Sequence, residues 1–290
     1  QNNTGLLFER IRTLRKNDNN AAAANLLNKA SALDDITFPE DWWKERNILV
    51  RRLIEDRNFA KAYALASNHG LEKGPEFAEA EWLSGWLALR FLNKPQVAYN
   101  HFINMYGKVE TAISKARGAY WAARAAETLK KDSDANTWYF QAASHPHTYY
   151  GQIALNHLQM PAPQQLPLPA SANDQSAITS SDLVQTAILL HNAGYESLSA
   201  KFISAKLDNI QVDGEYQAFA TYLNRIGDVS GAYRVAKKAS WKNVFLGETA
   251  YPSLMKWVDD ASIDPALAHA IIRQESQFDV SATSPAGALV

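Results

Sequence analysis

Glu275 ends the segment Asp264-Pro-Ala-Leu-Ala-His-Ala-Ile-Ile-Arg-Gln-Glu275, and of the acidic residues in this chain it is the best placed to handle a proton. Asp264 is a good helix N-cap, because its carboxylate accepts from the orphan N–H groups of a first turn, and Pro265 suits the first helical position. Leu267, Ala268, Ile271, Ile272 and Glu275 then recur at helical spacing, so the carboxylate continues an apolar face. Burial against such a face disfavours the ionised form, and so does the partly negative C-terminal end of a helix. The expectation is an acid that keeps its proton near neutral pH, as a general acid must. Arg273 lies two residues earlier and points to another side of the helix, which makes it a poor ion-pair partner. The competing reading is an ordinary surface or capping glutamate, since glutamates are seldom buried.

Other reactive residues carry less. His145 and His147 flank Pro146 beside Tyr149 and Tyr150, but two positions apart they do not share a helix face, and no third ligand stands near. Capping and packing are their expected roles. Asp279 could pair with Glu275 as two glycosidase carboxylates, although capping the following segment suits it better. Asp259 and Asp260 have only their charge to recommend them. There is no phosphate loop, dinucleotide fingerprint, zinc-protease helix or nucleophile elbow. The expected inventory is therefore no cofactor and no metal.

The elements that must position these residues are helical. Ala-rich amphipathic stretches dominate and strand alternation is rare. A unit recurs in which a short polar turn leads into a helix with a small residue near its start. Arg57-Asn-Phe-Ala-Lys-Ala62, Lys94-Pro-Gln-Val-Ala98 and Gly227-Asp-Val-Ser-Gly-Ala232 align through their last alanines, with a looser copy through Ala135. The spacing predicts an all-α superhelical solenoid of stacked, tetratricopeptide-like helix pairs, because one pair cannot bury its own apolar face. Trp82, Trp86, Trp121 and Trp138 are then expected between helices rather than as sugar platforms. Met160-Pro-Ala-Pro-Gln-Gln-Leu-Pro-Leu-Pro169 interrupts the array, its prolines favouring a stiff extended connector. The first residues, Asn-rich and polar through Asn20, are expected to fray.

Bulk properties exclude several classes. The chain has 290 residues, 47% of them hydrophobic, and 29 basic against 30 acidic residues give a net charge of -1. No global field would recruit nucleic acid or anionic membrane. No apolar run approaches a membrane span, and no signal peptide is visible. With no cysteine, disulfides and thiolate metal sites are excluded.

The tail carries a family resemblance. Glu275, Ser276, Phe278, Ala282, Ser284, Gly287 and Ala288 match, position by position, the first signature of the soluble lytic murein transglycosylases: Glu-Ser-x-Phe, then Ala-x-Ser-x-x-Gly-Ala. The Gly-Leu-Met-Gln that follows in the family has no counterpart, because Leu289 and Val290 end the chain. Ala78–Leu92, Ser114–Ala126, His145–Ala154 and Tyr251-Pro252 resemble the family's helical domain and the approach to its catalytic domain. The resemblance implies an α-solenoid over 1–160, a Pro-rich connector over 161–175, a helical linker domain over 176–247 and the start of a lysozyme-like domain over 248–290.

It also implies a periplasmic enzyme acting on peptidoglycan glycan strands, with protein partners possible through the solenoid. Such an enzyme cleaves the MurNAc–GlcNAc β-1,4 bond without water and leaves a 1,6-anhydro-muramyl end. Glu275 would protonate the leaving oxygen and then accept the proton of the C6 hydroxyl. One carboxylate suffices because the substrate's N-acetyl group assists, an exception to the two-carboxylate rule. Ser284 would lend a supporting hydrogen bond, while Ser276, Phe278 and Gly287 would shape the motif. A lysozyme-like domain needs roughly a hundred residues, and only about forty follow Tyr251. The chain by itself is therefore expected to be inactive, with its last segment poorly packed or docked on the solenoid. Two other readings remain open: a repeat scaffold that binds proteins or glycan without catalysis, and a fragment completed by a partner chain.

Overall fold

The computed structural model describes residues 3–30, 38–161, 169–253, 263–280, 282–284 and 287. Asp259, Asp260, Ala288 and residues 162–168 of the 161–175 connector lie outside them. Among the described residues the chain is all-helical, with fifteen α-helices, one 3-10 turn and no strand element. No helix among them is long and apolar enough to cross a membrane. Two compact units divide the chain, Gln1–Pro163 and Gln164–Val290.

The first unit stacks helices in sequence order: α1 (Thr4–Lys16), α2 (Asn20–Ala30), α3 (Pro39–Glu55), α4 (Phe59–Ser67), α5 (Gly74–Arg90), α6 (Pro95–Lys108), α7 (Ala112–Thr128), α8 (Asp132–Ala143) and α9 (Tyr149–His157). Proline occupies the first turn of α3, α5 and α6, where its missing N–H costs no hydrogen bond. The turn inside each pair follows one pattern. Asp18, Arg57, Asn93 and Lys130 adopt left-handed φ of 50–58°, and at one constant offset beyond them Ala23, Ala62, Ala98 and Ala135 are buried. The small side chain lets the second helix close on the first. From Thr4 to Lys16 the segment expected to fray is helical. Asn3 caps α1 by accepting from Leu6 N, and Arg15 is held by Glu45 through two bonds of 2.5 and 3.0 Å.

Arg46 fastens three helices of this stack. It is 2% exposed, and its guanidinium donates to the carbonyls of Leu65 and Leu27, in the last turns of α4 and α2, where carbonyls lack helical partners. Burial lowers its pKa to about 10. The tryptophans also pack between helices. Trp82 stacks on Trp86 and meets Trp121 edge-on, and Trp138 donates to Tyr99 at 2.9 Å.

The second unit contains α10 (Ala172–Thr179), α11 (Asp182–Asn192), α12 (Glu196–Asp208), α13 (Asp213–Arg225), α14 (Val229–Trp241), a 3-10 turn (Gly247–Ala250) and α15 (Pro265–Glu275). Ile178, Val184, Ile203, Phe219, Leu223 and Val235 form the centre of its core. Helix α10 starts inside the expected extended connector, because Ser171 and Asp174 form a reciprocal capping box and satisfy the first turn's donors. The turn pattern of the first unit returns here, with Gly194 ahead of Ser199 and Gly227 ahead of Ala232.

Candidate functional site

Helix α15 forms as its sequence predicts. Asp264 accepts from Ala266 N at 2.8 Å, and Pro265 stands at the first helical position. Glu275 is the last helical residue and is exposed. The expected burial of its carboxylate is not found. Helix α15 has no buried residue, and the flanking Leu267 and Ile271 are 57% and 54% exposed. The stripe is apolar, but no described element packs over it, so it removes no water from the carboxylate. Arg273 turns away as helix geometry requires. Its guanidinium sits over the rings of Tyr233 and Tyr251 and donates to the Ala250 carbonyl at 3.3 Å.

The residues after Glu275 form a tight anchored turn. Ser276 is buried, and its N–H and hydroxyl both donate to the Ile272 carbonyl at 3.1 Å. Gln277 and Phe278 both take left-handed φ, 53° and 63°. The consecutive pair reverses the chain and turns the Phe278 ring into the unit, where it is 6% exposed and meets Tyr233 edge-on at 5.4 Å. Asp279 faces Arg234 at 3.9 Å, and its carbonyl accepts from Ala282. Ser284 is half-buried and its carbonyl accepts from Gly287 N at 2.9 Å. Gly287 has φ 83°, a conformation that a Cβ would strain. Glu275 and Ser276 thus stand together at the helix end, Phe278 anchors the turn, and Ser284 and Gly287 share a second turn.

Beside this turn is a cavity of about 480 Å³ that no local sequence pattern announces. Ile272, Ser276 and Phe278 line one side, and His191, Glu196, Ser199, Asp228 and Arg234 line another. One ligand atom from each of His191, Glu196 and Asp228 lies within 4.8 Å of the others. His191 Nδ1 and Glu196 Oε2 are 3.0 Å apart. Asp228 caps α14 through Gly231 N at 2.7 Å, and burial raises its pKa against the pull of that bond. The three come from different helix ends, so no local spacing announces them. Only Asp228, as the N-cap before Val-Ser-Gly, leaves a mark in the sequence.

His145 and His147 lie just ahead of α9. Thr148, the α9 N-cap, donates to the His145 carbonyl at 2.8 Å and accepts from Gly151 N. Burial lowers the pKa of both imidazoles, and among the described residues no third ligand joins them.

No family model matches the chain, and no curated protein matches it. Among solved structures, lytic transglycosylase Slt from Pseudomonas aeruginosa, crystallised as an inactive mutant with glutamine in place of one glutamate, matches 99% of this chain and 50% of its own. The TM-score is 0.63 at 18% identity, and the chain spans about half the length of that protein. The likeness concerns the fold: the chain is built as a lytic-transglycosylase-like array of helices.

Proposed function

We propose that the protein carrying this chain is a lytic murein transglycosylase of the periplasm, cleaving peptidoglycan glycan strands at MurNAc–GlcNAc β-1,4 bonds. Residues 1–160 serve as its helical solenoid, 176–247 as a linker domain and 248–290 as the opening of a lysozyme-like domain. The observation that supports this most is the position of Glu275. Within a lytic-transglycosylase-like fold, it ends a capped helix and presents its carboxylate where a glycan can reach it. In the protein of similar fold, replacing one glutamate by glutamine accompanies loss of activity, which agrees with a reaction run by a single carboxylate.

The chemistry asks Glu275 to act twice. It donates a proton to the glycosidic oxygen as that bond breaks, then takes the proton of the C6 hydroxyl as the oxygen closes on C1. No water enters, and the product ends in a 1,6-anhydro ring. For the first step the acid must hold its proton near neutral pH, which requires the Leu267–Ile271 stripe beside it to be covered. Ser284 would supply a hydrogen bond near the acid, and Phe278 holds the turn that follows it.

The test is muropeptide release from purified sacculi by the whole protein, with products resolved by mass. Glu275→Gln is expected to lower release by about 10²–10⁴-fold, the range of a lost general acid. Full activity in that variant would remove Glu275 from the mechanism. Products with ordinary reducing ends would reassign the reaction to hydrolysis, and glycan binding without release would favour a scaffold.

A further inference from the structure

We propose that His191, Glu196 and Asp228 bind a divalent transition-metal ion of the zinc class in the wall of the cavity beside α11, α12 and α14. The site is independent of Glu275 and of the reaction assigned to it. Its three side chains come from the last turn of α11, the first residue of α12 and the N-cap of α14. His191 Nδ1 and Glu196 Oε2 are 3.0 Å apart, near the roughly 3.4 Å between two ligands on a tetrahedral ion with bonds of about 2.1 Å. All three donor atoms already fall within 4.8 Å of one another. The Glu196 side chain is 42% exposed, so it has room to swing towards Asp228 and close the triangle.

The donor set selects the ion. One imidazole nitrogen with two carboxylate oxygens suits zinc and its neighbours. Calcium takes six to eight oxygens, and magnesium a near-ideal octahedron of them. Charge points the same way. Two carboxylates converge on one imidazole, and Asp228 is 5% exposed, where a carboxylate needs a paired charge or a metal. Arg234, in the same wall, faces Asp279 at 3.9 Å, and its charge also acts on Asp228.

A separate sign of a polar ligand comes from Ser199. It lines the cavity, is 1% exposed, and among the described residues its hydroxyl has no hydrogen-bond partner. Ser230 lines the same wall with its hydroxyl in the same condition. Buried hydroxyls are seldom left unsatisfied. An ion with three protein ligands keeps a water in its open position, and water held there would give these hydroxyls a partner.

The test is calorimetric titration of the purified, chelator-treated protein with zinc chloride, with cobalt absorption reporting the geometry. One ion should bind per chain. His191→Ala and Glu196→Gln should each weaken it at least about tenfold, a loss that even outer-shell groups produce. His145→Ala with His147→Ala should leave it unchanged. Glu196 is partly exposed, so Glu196→Gln decides the matter if His191→Ala fails to fold. Absence of stoichiometric binding overturns the site, as does binding that survives both ligand substitutions or disappears with the His145–His147 pair.

Discussion

Glu81 is 6% exposed, and His69 and His101 each meet one of its carboxylate oxygens. His69 Nδ1 accepts from Leu71 N at 2.9 Å, which places the ring proton on Nε2, 3.1 Å from Glu81 Oε1. His101 Nδ1 lies 2.7 Å from the other oxygen, while its Nε2 faces the Tyr63 hydroxyl at 3.2 Å. Burial alone would raise the Glu81 pKa, but the bonds from His101 and His69 outweigh it and hold the group at about 2. A depressed folded pKa stabilises above the unfolded value and is lost as pH falls through the folded one. Glu81 should therefore contribute fully above about pH 4.5 and lose its contribution between there and about pH 2, on the order of 3 kcal/mol at most. Denaturant melts across that window should show Glu81→Gln less stable than wild type at pH 7 and flatter towards pH 2; parallel profiles would discard the account. None of this network was legible in the sequence, because its members come from separate helices. The helix that ends at Glu275 was legible because its cap, proline and apolar spacing are local. Its exposure was not, since burial depends on what packs over a face rather than on the face.

At the scale of elements, the helix pairs were legible through Ala62, Ala98, Ala135 and Ala232, whose smallness the packing needs. The copies at Ala23 and Ser199 were missed. Ala23 sits in an Asn- and Ala-rich stretch that reads as low complexity, and Ser199 breaks the alanine rule while filling the same buried place. The turns were less readable still. Asn58, Lys131 and Tyr195 each donate their N–H to the carbonyl five residues back, those of Leu53, Ala126 and Leu190. This closes the helix end around a left-handed residue, a position that glycine usually fills. Here Arg57 and Lys130 fill it, and neither residue signals a helix stop. Each carries a left-handed penalty of about 1–2 kcal/mol, partly offset by glycine's greater unfolded-state entropy. Lys130→Gly should raise stability by about 0.5–1 kcal/mol. Gly227→Ala should lower it by a similar amount, since no atom lies within 4 Å of the added Cβ and only the backbone objects. Chemical denaturation measures both, and equal midpoints for Lys130→Gly and wild type would show that the turns are not strained.

At the scale of the whole molecule, the first unit is a stack in which each helix pair leans on its neighbours, and its stability is expected to pass from layer to layer. The joint between α5 and α6 is closely packed at Gly85. A Cβ at Gly85 would lie 2.5 Å from the ring of Phe102. Phe102 cannot retreat, being 0% exposed with its ring 5.9 Å from that of Trp121 on α7. Gly85→Ala should therefore cost about 1–3 kcal/mol through overpacking, despite alanine's better helix propensity. Gly107→Ala on α6, where a Cβ meets nothing within 4 Å, should instead be neutral or gain up to about 1 kcal/mol. The pair separates crowding from propensity. If layers couple mainly to their neighbours, amide hydrogen exchange in Gly85→Ala should rise most in α5 and α6, less in α7 through Trp121, and least in α9. A uniform rise from α1 to α9 would mean that the stack opens as one block, with Arg46 and the aromatic seams binding it more tightly than nearest-neighbour packing alone.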